Sequence, residues 1–296
     1  MKNMRGYDTK ERVALLAVLF VLFLMFVENQ GDLLHMNERK VKTEVLEMGC
    51  QLRRGNATQA PYDSPLIFPW PKVVQHGEGV PVTLSLSDNL LIRTVGLDPT
   101  SRGALQRFCD LAKSHRPGTT LLTISVDEVL KDVTQISNNS YQLDVTGNAN
   151  QILLAARVSS LAAVNPFIST LTQIMGRRPT KALLPLKIRD FPQYAWRGLL
   201  VDVARHYIPL KLLRRTLDAM ELSKFNILHL HLTDSQSFPV LLRDTSKFSL
   251  SQLAIKGSHK YPDMVYSLKD LSDLVQYAAD RGVSVVPEID VPAHSL

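Results

Sequence analysis

The C-terminal part of the chain alternates between short apolar runs and amphipathic segments. Residues 198–204, 225–233 and 283–291 are nearly continuous apolar runs, a pattern typical of strands that are buried on both faces. Pro209 begins one intervening segment with leucines at helical spacing, and Ser267 with Asp270 predicts a capping box at the start of another. The resulting order β-α-β-α-β predicts a parallel sheet with right-handed crossovers.

The region before these runs has a different pattern. Residues 80–86, 121–126 and 141–145 alternate or run apolar as strands do, whereas residues 101–113 and 151–174 have helical spacing. Strands interleaved with helices predict a small α+β domain over residues 67–180. We therefore expect the parallel sheet to belong to a second domain over residues 181–296.

An unbroken apolar run occupies residues 13–27, between Arg12 and Glu28. As a helix it would span about 22 Å, less than the roughly 30 Å hydrocarbon core of a bilayer, so either a signal-anchor or a signal peptide fits. Basic residues precede the run and acidic ones follow it, which predicts a cytoplasmic tail over residues 1–12 and a lumenal remainder. Without a convincing small-x-small cleavage site, a single-pass type II membrane protein is favoured. Secretion or lysosomal delivery after cleavage is the alternative.

The composition limits the class of protein and the kinds of partner that the chain can have. A hydrophobic content of 45% with 21% charged residues is that of a globular protein. The net charge of +6 comes from scattered basic residues, which argues against a nucleic-acid partner. Residues 28–66 are polar and lack periodicity, which predicts a stalk.

Two features would fit the secretory pathway. Asn56 and Asn138 each begin an acceptor triplet for N-glycosylation. Cys50 and Cys109 are too few for a disulfide scaffold or a cysteine-based zinc site. In an oxidising compartment they could form a disulfide, and two independent thiols remain the alternative.

Polar side chains follow each of the three predicted parallel strands. In parallel α/β folds the carboxyl ends of the strands carry the functional groups, so these residues predict a site. They are Asp202, Arg205, His206 and Tyr207 after the first strand, Thr233, Asp234 and Ser235 after the second, and Glu288, Asp290 and His294 after the third. A competing interpretation places a metal at His229 and His231, which share one strand face, together with Asp234 or His294.

These strand ends also carry a family resemblance. Residues 196–239 (WRGLLVDVARHY…NILHLHLTDSQSFP) and 262–296, with the segment PEIDVPAH, are similar to the β-N-acetylhexosaminidases. The resemblance implies an eight-stranded (β/α)8 TIM barrel, of which this chain holds the first three strands behind the small α+β domain and the N-terminal membrane segment. It also implies hydrolysis of terminal N-acetylglucosamine or N-acetylgalactosamine without a cofactor, and assembly as a homo- or heterodimer.

The resemblance assigns roles to matching positions. Arg205 corresponds to the arginine that binds hydroxyls of the terminal sugar, and Asp234 and His294 to residues that line the site and couple to the acid. Asp290 matches the aspartate of the third-strand motif. Ser235 and Ala293 depart from the family pattern, which usually has Asp and Gly there.

The family's catalytic Asp-Glu pair follows on the fourth strand, beyond Leu296. In the family the acetamido group of the substrate is the nucleophile, the Asp orients it and the Glu is the acid. We therefore expect a fragment of a full hexosaminidase without turnover of its own. The alternative is a membrane-tethered, non-catalytic relative that binds glycans or another subunit.

Overall fold

The computed structural model describes residues 45–54, 67–78, 80–97, 99–126, 139–148, 152–176, 180–291 and 293–294. The predicted tail, the apolar run 13–27, most of the stalk, Asn56 and Asn138 lie outside these residues. Within the described ranges no helix is both long enough and apolar enough to cross a membrane. The type II membrane arrangement therefore stays a prediction.

The N-terminal part is built on a mixed sheet covered by two helices. Its elements are β1 (Val45–Gln51), β2 (Arg53–Arg54), β3 (Val73–Gln75), β4 (Val82–Leu84), β5 (Leu86–Val95), α1 (Pro99–Leu111), β6 (Lys113–Val126), β7 (Tyr141–Gly147), β8 (Ile152–Val158), α2 (Val164–Leu171), β9 (Thr180–Ala182) and β10 (Leu186–Asp190). The strand order in the sheet is β1-β5-β6-β8-β7-β10-β3, in which the β5–β6 and β6–β8 pairs are parallel and the other neighbours antiparallel, while β2 pairs with β6. A separate antiparallel pair is formed by β4 and β9.

The predicted helix over residues 151–174 is wrong in its first half. Residues Ile152–Val158 form strand β8, in which every second side chain is buried, and only Val164–Leu171 is an α-helix. The Leu-Ala-Ala-Arg sequence has good helix propensity, but β8 hydrogen-bonds to β6 on one side and β7 on the other. Tertiary pairing overrides a local preference of this size.

Two predicted boundaries also need correction. The stalk 28–66 contains strand β1, which pairs with β5 along its whole length, and Cys50 in β1 is disulfide-bonded to Cys109 of α1. The small domain extends past residue 180, because β10 lies between β7 and β3 in the first sheet. Both errors involve strands whose partners are distant in sequence.

The elements of the C-terminal part are β11 (Gly198–Asp202), α3 (Leu210–Leu222), β12 (Ile227–His231), β13 (Val240–Leu241), α4 (Ser251–Gly257), β14 (Tyr266–Ser267), α5 (Leu268–Ala279) and β15 (Ser284–Glu288). They include a three-stranded parallel sheet in the order β11-β12-β15. Leu213 and Leu217 of α3 and Leu274 of α5 are fully buried on this sheet together with Leu228 and Leu230 of β12. The predicted capping box of Ser267 and Asp270 at the start of α5 is confirmed.

One buried and one partly buried ion pair join the two parts. Lys224, at the turn between α3 and β12, lies 2.8 Å from the carboxylate of Asp190 at the end of β10. Arg107 of α1 lies 2.8 Å from Glu221 of α3. These contacts connect the first sheet with the amino-terminal end of the parallel strands, away from the strand ends that carry the predicted site.

Candidate functional site

The register of the parallel sheet places three polar side chains in one row. Asp202 of β11 lies opposite His231 of β12, and His231 lies opposite Glu288 of β15. All three are the last residues of their strands. Paired positions of neighbouring strands point to the same face, so the three strands bring a carboxylate, an imidazole and a second carboxylate together.

Asp234, three residues beyond β12, is the centre of the cluster. Its Oδ2 atom lies 2.6 Å from Nη2 of Arg205, 2.9 Å from Nδ1 of His294 and 3.2 Å from Nε2 of His231. The backbone N–H of Ser235 donates to the other oxygen at 2.7 Å. The side chain is almost completely buried. Burial alone would raise the pKa of Asp234, but these hydrogen bonds outweigh it and lower the pKa to about 2.

Arg205 is held from two sides. Its Nη1 donates to Oδ2 of Asp202 at 2.6 Å, while Nη2 contacts Asp234. Asp202 also accepts the backbone N–H of Arg205 at 2.9 Å, and these bonds lower the pKa of Asp202 despite its partial desolvation. The side chain of Arg205 nevertheless remains 46% exposed. A guanidinium fixed by two carboxylates and open to solvent is suited to donating hydrogen bonds to a polar ligand.

His294 and Asp290 lie in the segment after β15. His294 has a φ of 58°, in the left-handed region that few non-glycine residues adopt. Its ring contacts the ring of His231 edge-on at 5.6 Å and lies 4.0 Å from Asp290. The backbone N–H of Asp290 donates to Thr233. The structure thus brings together the four residues to which the family resemblance gives roles: Arg205, Asp234, Asp290 and His294.

Glu288 was predicted as one of the strand-end residues, but the sequence did not indicate its partners. Its carboxylate lies between two imidazoles, 2.7 Å from Nδ1 of His231 and in a short contact with Nε2 of His229. The spacing of His229 and His231 showed that they share a strand face, but it could not identify their partner. Only the pairing of β12 with β15 places Glu288 there.

Among the residues that the structure describes, two sets of side chains could bring three donor atoms to a metal. They are His231, Asp290 and His294, and Asp202, His231 and Asp234, with the donor atoms of each set within 4.8 Å of one another. However, Asp234 Oδ2 contacts the guanidinium of Arg205 at 2.6 Å, and that positive charge would repel a cation. The arrangement therefore favours a polar ligand over a metal.

Comparisons with known proteins agree with this location. Residues 194–296 match the model of the glycosyl hydrolase family 20 catalytic domain. A chitooligosaccharidolytic β-N-acetylglucosaminidase of Bombyx mori is 32% identical over 188 residues, which cover 62% of this chain and 30% of that protein. The β-hexosaminidase subunit alpha of Mus musculus is 33% identical over 190 residues, which cover 62% of this chain and 34% of that protein.

A solved structure shows the same architecture. The chitobiase of Flavobacterium johnsoniae superimposes with a TM-score of 0.57 at 26% identity, over 77% of this chain and 35% of that one. The likeness supports a TIM-barrel-like α/β fold. The chain spans about a third of the length of these relatives.

Proposed function

Because the chain is a member of glycosyl hydrolase family 20, the family of the β-N-acetylhexosaminidases, we propose that its strand-end cluster binds the terminal N-acetylhexosamine of a glycan for hydrolysis. The observation that carries the proposal is the geometry of Arg205. Two carboxylates fix its guanidinium, and nearly half of the side chain is open to solvent. Sugar hydroxyls accept hydrogen bonds from such a donor.

The residues of this chain supply binding and orientation. Arg205 donates to hydroxyls of the terminal sugar, and Asp234 keeps the guanidinium in place. The family resemblance couples both Asp234 and His294, which is bonded to Asp234 at 2.9 Å, to the acid. In the family, the acid and the group that orients the acetamido nucleophile are an Asp-Glu pair, which the resemblance places on the fourth barrel strand.

A second candidate function rests on the outer strand of the parallel sheet. Leu200 of β11 is 55% exposed and the neighbouring Trp196 is 57% exposed. An apolar strand face of this kind fits contact with another polypeptide. A relative that binds a glycan or another subunit without catalysis would use this face. The name of the mouse relative, a subunit, supports assembly as a homo- or heterodimer.

Placement in the secretory pathway is part of the proposal. The disulfide between Cys50 and Cys109 supports an oxidising compartment. Residues 13–27 would then act as the signal-anchor or signal peptide, and Asn56 and Asn138 as glycosylation acceptors. Lysosomal or secreted protein after cleavage is the other outcome, and the mass of the protein purified from a secreting cell distinguishes them.

Calorimetric titration of the 296-residue chain with N-acetylglucosamine tests the binding function. Arg205→Ala should weaken binding about 10- to 100-fold, the range for losing a hydrogen bond to a charged group. Arg215→Ala, an exposed arginine on α3, is the matched control and should bind normally. Equal affinity of the two variants would contradict the proposal.

A chromogenic N-acetylglucosaminide tests the catalytic part. We expect turnover only by a form extended through the strand with the Asp-Glu pair. Turnover by the 296-residue chain would show that the acid lies within it. An extended form that binds the sugar without hydrolysing it would favour the non-catalytic relative.

A further inference from the structure

A continuous series of hydrogen bonds extends across the strand ends, from Arg205 through Asp234, His231 and Glu288 to His229. His231 is its middle member and is only 7% exposed. Nδ1 of its ring lies 2.7 Å from Glu288 Oε1, and Nε2 lies 3.2 Å from Asp234 Oδ2. Both ring nitrogens therefore face a carboxylate.

The chemistry of the ring restricts its protonation state. A neutral imidazole has one N–H, so one of its nitrogens would direct a lone pair at a carboxylate oxygen. A doubly protonated ring donates at both contacts. Burial lowers the pKa of His231, but the hydrogen bonds that its ring donates to Glu288 and Asp234, with the nearby charges of Glu288 and Asp202, outweigh it and raise the pKa above its ordinary value.

The surroundings of His231 agree with a charged ring. Glu288 of β15 and Asp202 of β11 face it from the neighbouring strands, and Asp234 faces it from the loop after β12. The basic side chains nearby are Arg205, His229 and His294. Burial would raise the pKa of Glu288, but its bond to His231 and the charges of both histidines lower it, so this carboxylate is ionised opposite His231.

We infer that His231 is a positioning residue: as a buried imidazolium held by Glu288, it fixes the Asp234 carboxylate in the orientation that places Arg205 for sugar binding. The inference rests on the proposed function. Asp234 Oδ2 is the atom on which Arg205, His294 and His231 converge. Of the three donors, His231 is the most buried. It therefore holds the Asp234 carboxylate on its buried side, while Arg205 and His294 lie on the exposed side, where the sugar would bind.

The inference predicts a pH dependence of defined sign. A group with a raised pKa in the folded state contributes fully below its ordinary pKa, and the contribution is lost as the pH rises through the raised value. Because the protonated ring holds the carboxylate that places Arg205, N-acetylglucosamine affinity should fall in the same way as the pH rises above the ordinary histidine pKa. The expected fall is about tenfold, the effect of losing one charge-assisted hydrogen bond.

Two measurements on the 296-residue chain test the inference. Nitrogen-15 NMR of labelled histidine rings follows the protonation of His231, whose signals are those absent from His231→Gln. The ring should stay doubly protonated above the ordinary histidine range, and Glu288→Gln should shift its titration to lower pH. Asp273→Asn removes an exposed carboxylate on α5 and should leave the titration unchanged.

Calorimetry with N-acetylglucosamine across the same pH range supplies the second measurement. Affinity should fall with the titration of His231, and the fall should disappear in His231→Gln. A merely structural role would lower affinity equally at every pH. The titration curve itself is recorded on the wild-type chain, and an ordinary or lowered pKa of His231 there overturns the inference.

The outcomes separate the two proposals. A raised titration with unchanged sugar affinity overturns the positioning role and leaves the binding function in place. Absence of sugar binding by the wild-type chain at every pH contradicts the binding function and the positioning role together.

Discussion

The buried pair of Lys224 and Asp190 should contribute strongly to the stability of the contact between the two parts of the chain. The ammonium lies 2.8 Å from Asp190 Oδ2 and 3.0 Å from the hydroxyl of Tyr141. The two charged side chains are only 8% and 11% exposed. Asp190 also accepts the backbone N–H of Lys72 at 3.3 Å, so this carboxylate connects three segments.

Removing one partner leaves the other charge buried without its counter-ion. Each of the single variants Lys224→Met and Asp190→Asn should therefore lower the free energy of unfolding by about 3–5 kcal/mol. The double variant leaves no buried charge and should cost less than the sum of the two single changes. Lys224 has a φ of 60°, and methionine carries the same backbone cost as lysine there, so the comparison isolates the side chain.

Urea unfolding followed by tryptophan fluorescence and circular dichroism measures these changes. The exposed pair of Lys260 and Asp263, with N and O 2.7 Å apart, is the matched control, and the same substitutions there should have no measurable effect because solvent screens the pair. Single variants as stable as the wild type, or a double variant that costs the full sum, would refute the reasoning.

Three further predictions concern other parts of the structure. Replacing Cys50 and Cys109 by alanine opens a loop closed over 59 residues and should lower the free energy of unfolding in urea by about 4 kcal/mol; unchanged stability would mean that the bond does not tether β1. Because the pKa of Asp234 is lowered to about 2, its contribution is present above the ordinary aspartate pKa and lost as pH falls through 2, so Asp234→Asn should flatten the acid side of a stability-against-pH curve. Leu217→Ala should cost about 2–5 kcal/mol, because Leu217 is fully buried, whereas Leu212→Ala on the exposed face of α3 should cost far less in the same urea experiment.

The parallel part of the fold was predictable because its signals are local. Strands β11, β12 and β15 are apolar runs, and α3 and α5 show leucines at helical spacing. The capping box of Ser267 and Asp270 fixes the start of α5 within four residues of sequence. Each of these features depends on neighbours that are close along the chain.

The first sheet was harder to predict because its pairings are distant. Strand β1 hydrogen-bonds to β5, more than 30 residues away in sequence, and its own residues include glycine, cysteine and glutamate, so its pattern is weak. Strand β8 has residues with good helix propensity and becomes a strand because β6 and β7 both pair with it. The local sequence pattern identifies neither the partner of β1 nor the partners of β8.

The candidate site depends both on local features, which the sequence shows, and on distant strand pairings, which it does not. The residue types at the strand ends, Arg205, Asp234 and His294, could be identified from the sequence, but the atom on which they converge could not. That geometry depends on the register of β11, β12 and β15, which pairs Asp202 with His231 and His231 with Glu288.

In the described part of the chain, the contacts that fix the guanidinium of Arg205 come from within residues 202–294. Asp202 and Asp234 contact it directly. His231, which is hydrogen-bonded to Glu288, contacts Asp234 on its buried side. The hydrogen-bond partners that orient this arginine are thus supplied by three strands and the segments that follow them. Under the proposed function, the arginine that binds the sugar is oriented without the family's catalytic Asp-Glu pair, so sugar affinity and turnover should respond to different substitutions.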